Sequence, residues 1–147
     1  MMIMLGDAMR RFAVAIWDGD LVQGKGRLTS QSGVLSNTPY VPIFDRVRTG
    51  TNPEELLASA LATCFCMVLI NLLNDGGFSV NRIEAKVETE LDSSAKAITH
   101  AFLHLKAFIP DISHDELDEY IKAAAADCPI NRSIIAELDC TYDLYNV

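Results

Sequence analysis

The sequence predicts an α+β fold with mainly antiparallel sheet, and three observations carry that reading. Apolar and polar residues alternate in two neighbouring stretches, 81–91 and 99–109, as they do in half-buried strands. A long uncharged run from Leu56 to Asn74 follows a clear helix start, and a second helix start lies near residue 113. Strand-like segments stand before and after, so the order is strands, long helix, hairpin, helix, short helix, strand.

Taken in order, FAVAIW (12–17) is an apolar, β-branched and aromatic run closed by Asp18-Gly19-Asp20, which reads as a strand and a turn. Leu21 to Thr29 is a weaker, glycine-interrupted partner. The two prolines in residues 31–44 suit an edge strand or an extended excursion. At the long helix, Asn52 is placed to cap, Pro53 fits the first helical position, and Glu54 and Glu55 favour the positive end of the dipole. Gly76-Gly77 closes it. Ile83, Ala85 and Val87 alternate in one predicted strand and Ala101, Leu103, Leu105 and Ala107 in the next, joined across DSSAK as a hairpin. Ser113 and Glu116 form a capping-box pattern for a helix to about residue 127, which stops at Cys128 because the residue before a proline leaves the α region. Pro129 opens a short helix, and Leu138, Cys140, Tyr142 and Leu144 alternate along a final strand.

Length and composition set bounds on function. A chain of 147 residues suits one domain, expected to span 1–147. Its net charge of −8 disfavours a phosphate backbone, so nucleic acid is not an expected partner. The opening MMIMLGDAMRR puts its short apolar run ahead of the arginines, unlike a secretory signal, and a cytoplasmic location is expected. There, four cysteines read as core residues or chemistry before they read as a disulfide framework. The run 56–74 is long enough to be tested as a membrane span, but it holds Ser59, Thr63, Asn71 and Asn74, and acids flank it where basic anchors are expected. No membrane is expected. The remaining reading is a helix apolar almost all round, which needs cover on every side, and a second copy of the chain is the natural source.

The cysteines divide by position. Cys64 and Cys66 lie two apart on the helix and point about 200 degrees away from one another, so they cannot pair. Cys140 sits on the apolar face of its strand, where a cysteine is ordinary core. Cys128 lies at the helix junction, where N–H groups favour a thiolate. No metal is expected: His100 and His104 share a strand face but stand about 13 Å apart, too far to hold one ion.

The stretches WDGDLVQGKGRLTSQSGVLSNTPY, GTNPEELLASALATCF and DCPI resemble the family of osmotically inducible protein C and the organic hydroperoxide resistance proteins, with the tryptophan and GKG pattern closer to the first. The resemblance covers nearly the whole chain. It implies an intertwined homodimer, sheets wrapped around long central helices, and a thiol peroxidase that reduces organic hydroperoxides and, less efficiently, hydrogen peroxide. It implies Cys64 as the peroxidatic and Cys128 as the resolving cysteine, with Glu54 as the active-site carboxylate. Cys66 stands where the family often has serine and is expected to be a bystander. For the family arginine, Arg46 is the first choice and Arg48 the alternative, because the segment between Tyr40 and Thr51 is one residue shorter than the family pattern. No cofactor is implied, and a dithiol, in this family usually a lipoyl-bearing protein, is the implied reductant.

The chemistry fits such a set. The thiolate is the nucleophile, apolar surroundings disfavour it, and a guanidinium favours it, while a carboxylate holds that guanidinium in place. Leu61, Phe65 and Met67 suggest an apolar lining for bulky peroxides. Glu54 and Cys64, ten residues apart on one helix, are separated by about 15 Å, so the sequence predicts that Glu54 serves the other chain's thiol across antiparallel helices. Two other readings stay open: a small-molecule binding protein with this fold but no turnover, and a structural dimer whose cysteines only pack.

Overall fold

The computed structural model describes residues 8–147. Residues 1–7, and with them most of the opening segment read against a secretory signal, lie outside the described residues. The chain forms two compact units, one ending at Pro53 and one beginning at Glu54.

The first unit is a three-stranded antiparallel sheet, β1 (Ala13–Asp18), β2 (Lys25–Ser30) and β3 (Thr38–Tyr40), in that order. Only three residues around Pro39 join the sheet, at its edge, because proline has no N–H for a ladder. Asp20 organises the turn between β1 and β2, its Oδ1 accepting from the backbone of Val22 and Gln23. A Cβ at Gly26 would lie 2.7 Å from the Tyr40 ring and 2.8 Å from Trp17, so glycine there lets the two rings approach to 5.5 Å.

The second unit begins with α1 (Pro53–Asp75), then β4 (Arg82–Asp92) and β5 (Ala97–Phe108), which pair as the expected hairpin. The helix α2 (His114–Asp127) starts on a complete capping box, Ser113 and Glu116 each satisfying the other's backbone. It is followed by α3 (Pro129–Ser133) and β6 (Glu137–Tyr145). β6 pairs with β5 in parallel, while the other strand pairs among the described residues are antiparallel. The α2–α3 segment supplies the crossover that a parallel pair requires.

Both long helices cover the same face of this sheet. Along β5, Ala101, Leu103, Leu105 and Ala107 are buried, as is Ile109 just beyond it, while Phe102 and Lys106 face out. Against the buried row pack Phe65, Leu69 and Leu73 of α1 and Leu117, Ile121 and Ala124 of α2. Each fully buried leucine or phenylalanine of this set contributes about 1.5–3 kcal/mol. On α1 the buried residues, Leu61, Phe65, Leu69 and Leu73, recur every fourth position and so form one stripe. The rest of the helix is apolar too: its mean hydropathy of 2.3 would suit a membrane span, yet only 22% of that stretch is buried.

Candidate functional site

Cys64 and Cys128, 64 positions apart in the chain, meet in the second unit. Cys128, Leu61, Ala101 and Ala136 form a small buried cluster, and Cys64 packs against it together with Val87, Ile98, Ile130, Ile134 and Leu138. Both thiols are free, and Cys64 lies near enough to Cys128 to raise its pKa, so they form a reduced pair side by side. Cys128 has no exposed surface, whereas Cys64 is half-buried.

The junction that positions Cys128 follows from the proline after it. Its backbone is extended, at φ −68 and ψ 112, as a residue before proline requires. The Cys128 N–H donates to Ala124 O at 2.9 Å, its carbonyl accepts from the Arg132 N–H at 3.0 Å, and the Asn131 Nδ2 donates to Ala125 O at 2.9 Å. These ties fix the segment against the end of α2. Burial pushes the Cys128 thiol above its ordinary pKa; the Asn131 N–H opposes this, the neighbouring Cys64 adds to it, and the Ile130 N–H gives a smaller opposing effect. The two N–H groups face the sulfur without completing a side-chain cap hydrogen bond.

Glu54 lies in the first turn of α1, and its Oε2 is buried with no hydrogen-bond partner among the described residues. An unpaired buried carboxylate oxygen is costly, so this atom calls for a donor. Cys64 is not within its reach, since ten helical residues separate them by about 15 Å. Thr89 Oγ1 of β4 donates to the Glu54 carbonyl at 3.3 Å and helps seat the helix start on the sheet.

The two arginines belong to the first unit and differ in state. Arg48 is half-buried, ion-paired with Asp45 and bonded to the Gly24 carbonyl, so it ties its loop to the turn after β1. Hydrogen bonds from the Arg48 backbone and guanidinium, then from the Val47 N–H, hold the Asp45 carboxyl down at about 2. Arg46 is exposed, with no ion pair among the described residues.

The other candidates stand apart. Cys66 lines a shallow apolar hollow with Ala62, Thr63, Met67 and Ala85, and burial raises its pKa. Cys140 packs on the main core, where burial pushes its thiol up to about 11. Of the apolar residues suggested as a substrate lining, only Leu61 touches the thiol cluster. Phe65 is wholly in the main core and Met67 is 66% exposed, on the side of Cys66. The histidines lie on the outer sheet face and are engaged there: His100 between Glu90 at 3.5 Å and Glu137 at 3.6 Å, His104 with Asp143 at 3.1 Å and Thr141 at 2.8 Å. Asn131 and Thr89 escape a reading of the sequence. The one signal for Asn131 is its place three residues after a cysteine that precedes proline.

The family model described as OsmC-like protein matches residues 46–143. The chain is 37% identical over 134 residues to the protein named Peroxiredoxin OsmC of Escherichia coli (strain K12), covering 88% of this chain and 93% of that one. It is 27% identical over 121 residues to the organic hydroperoxide resistance protein OhrB of Bacillus subtilis (strain 168), covering 81% and 88%. The crystal structure of that OhrB superposes with a TM-score of 0.66 at 26% identity, covering 90% of this chain and 97% of that one. An OsmC-like protein of unknown function from Vibrio cholerae superposes at 0.76 with 17% identity, covering 92% and 100%, a likeness of fold alone. On the family match and the identity to the Escherichia coli protein, the chain belongs to the OsmC-like family.

Proposed function

We propose that this protein is a thiol peroxidase that reduces organic hydroperoxides, and hydrogen peroxide less efficiently, through Cys64 and Cys128. The observation that carries the reading is the contact between these two thiols, held by elements 64 positions apart. The relatives named peroxiredoxin and organic hydroperoxide resistance protein support it. The Cys64 thiolate attacks the terminal peroxide oxygen, the O–O bond breaks, and the alkoxide takes a proton to leave as an alcohol. Cys64 is then a sulfenic acid. Cys128 attacks that sulfur, water leaves, and a Cys64–Cys128 disulfide forms before further oxidation can follow. A dithiol, such as a lipoyl group carried on a protein, returns two electrons and two protons.

The same reading treats residues 1–147 as one domain working as a homodimer in the cytoplasm. The half-buried apolar sides of α1, the exposed Met67 and the unpartnered Glu54 Oε2 support that assembly, since antiparallel central helices would bring the partner's Glu54 toward Cys64. An arginine is part of the proposed set. Arg46 remains the first choice because Arg48 is already bound to Asp45 and Gly24.

The test is turnover of cumene hydroperoxide with dithiothreitol. Cys64→Ser is expected to abolish it, Cys66→Ser to keep it within about twofold, and Arg46→Ala to lower it more than Arg48→Ala. Wild-type turnover in Cys64→Ser would remove the proposal. Ligand-dependent melting without loss of peroxide would favour the binding protein instead.

A further inference from the structure

Reduction of a Cys64–Cys128 disulfide poses a question of access that the fold answers. Thiol–disulfide exchange needs the incoming thiolate to reach one sulfur in line with the bond it breaks. Cys128 has no exposed surface, closed in by Leu61, Ala101 and Ala136, whereas Cys64 is half-buried. This closure exists within a single chain. Association with a second copy or with a ligand can only remove more surface, so Cys128 stays shut in any assembly that keeps the fold. The segment is also tied down, by the Cys128 N–H to Ala124 O and by the Asn131 side chain to Ala125 O, each at 2.9 Å.

Resting on the peroxidase reading, we propose that the disulfide is reset in one direction only: the reductant attacks Cys64 Sγ, and Cys128 is always the leaving sulfur. In the first step a thiolate of the dithiol forms a bond to Cys64 Sγ, the Cys64–Cys128 bond breaks, and its electron pair leaves on Cys128 Sγ. The product is a mixed disulfide on Cys64. In the second step the other thiol of the reductant, as thiolate, attacks the reductant's own sulfur and displaces the Cys64 thiolate. The dithiol becomes a cyclic disulfide, the protein regains both thiols, and two electrons and two protons have moved. The departing Cys128 anion meets the N–H groups of Ile130 and Asn131, which favour its negative charge. Asn131 is thus a positioning residue, holding the leaving sulfur inside.

The experiment maps the mixed disulfide. Wild-type protein is oxidised with one equivalent of cumene hydroperoxide, and a Cys64–Cys128 disulfide is verified by non-reducing peptide mass spectrometry. It is then mixed briefly with 2-mercaptoethanol, a monothiol small enough to use any opening, quenched in acid, alkylated and mapped. The expected result is the mercaptoethanol adduct on Cys64 and the alkyl group on Cys128, in at least tenfold excess over the reverse. Adduct mainly on Cys128, or equally on both, would overturn the direction while leaving the peroxidase reading intact. Failure of the disulfide to form at all would remove both. Asn131→Ala cuts the tie to Ala125 and is expected to raise the share of adduct on Cys128 several-fold; an unchanged share would remove Asn131 from its role.

Discussion

Two cysteines of one chain share a contact and differ in nearly everything else. Cys128 is enclosed, and burial holds its thiol above the ordinary range. Because a thiolate performs the condensation, a raised pKa makes the step that forms the disulfide sensitive to pH. Below that pKa the reactive fraction grows with each unit, so quench-flow alkylation is expected to find the rate rising about tenfold per pH unit between 7 and 9. A flat profile across that range would contradict it. At this scale the sequence is informative where a residue type has one job. A cysteine before proline announces a helix junction, and Cys128 is found there. The choice between Arg46 and Arg48 was not legible, because it depends on which of the two Asp45 engages, and that is decided by the loop's path. Phe65 and Met67 do not join the thiol cluster of this chain: one position after Cys64, Phe65 is turned about 100 degrees from it into the main core, and Met67 is exposed.

Among the elements, α1 has an apolar surface that the chain covers only in part. Its fourth-residue stripe is covered by the sheet and α2, and the remaining faces are apolar, mostly half-buried, with Met67 exposed. Phe65→Ala within the stripe is expected to cost about 3–5 kcal/mol in denaturant unfolding, as for a large residue removed from a packed core. Met67→Glu outside it should barely change the fold of the chain but place a charge in the proposed helix–helix contact, where an unpaired charge is costly. Sedimentation is expected to show a dimer for the wild type and a monomer for Met67→Glu; a dimer of unchanged affinity in the variant would contradict the account of α1. The helix starts at Pro53 and Ser113 and the hairpin of β4 with β5 were readable because each is written in local residues. The parallel join of β6 to β5 was not. It depends on where residues 109–136 carry the chain, and no local pattern encodes that path.

At the scale of the whole molecule, the main core sets a limit in alkali. Burial pushes Cys140 up to about 11, and burial followed by the nearby Asp118 carboxylate pushes Tyr142 up to about 12. Both groups are neutral in the folded state over a range where the unfolded chain ionises. Their contribution is therefore complete below about pH 9 and is lost as pH rises through 11 and 12. The thermal midpoint is expected to fall steadily from pH 9 upward, and Cys140→Ala to flatten the part of that fall between 9 and 11. A midpoint independent of pH across that interval would show that neither group is protected by the core.

The central claim is that Cys64 and Cys128, and not Cys66 or Cys140, form the redox pair. It is tested most directly by peptide mapping of the wild-type protein after one equivalent of organic hydroperoxide without reductant. The account predicts a Cys64–Cys128 disulfide, with Cys66 and Cys140 recovered as alkylated thiols after denaturation. Oxidation of Cys66 with Cys64 still a thiol would contradict it.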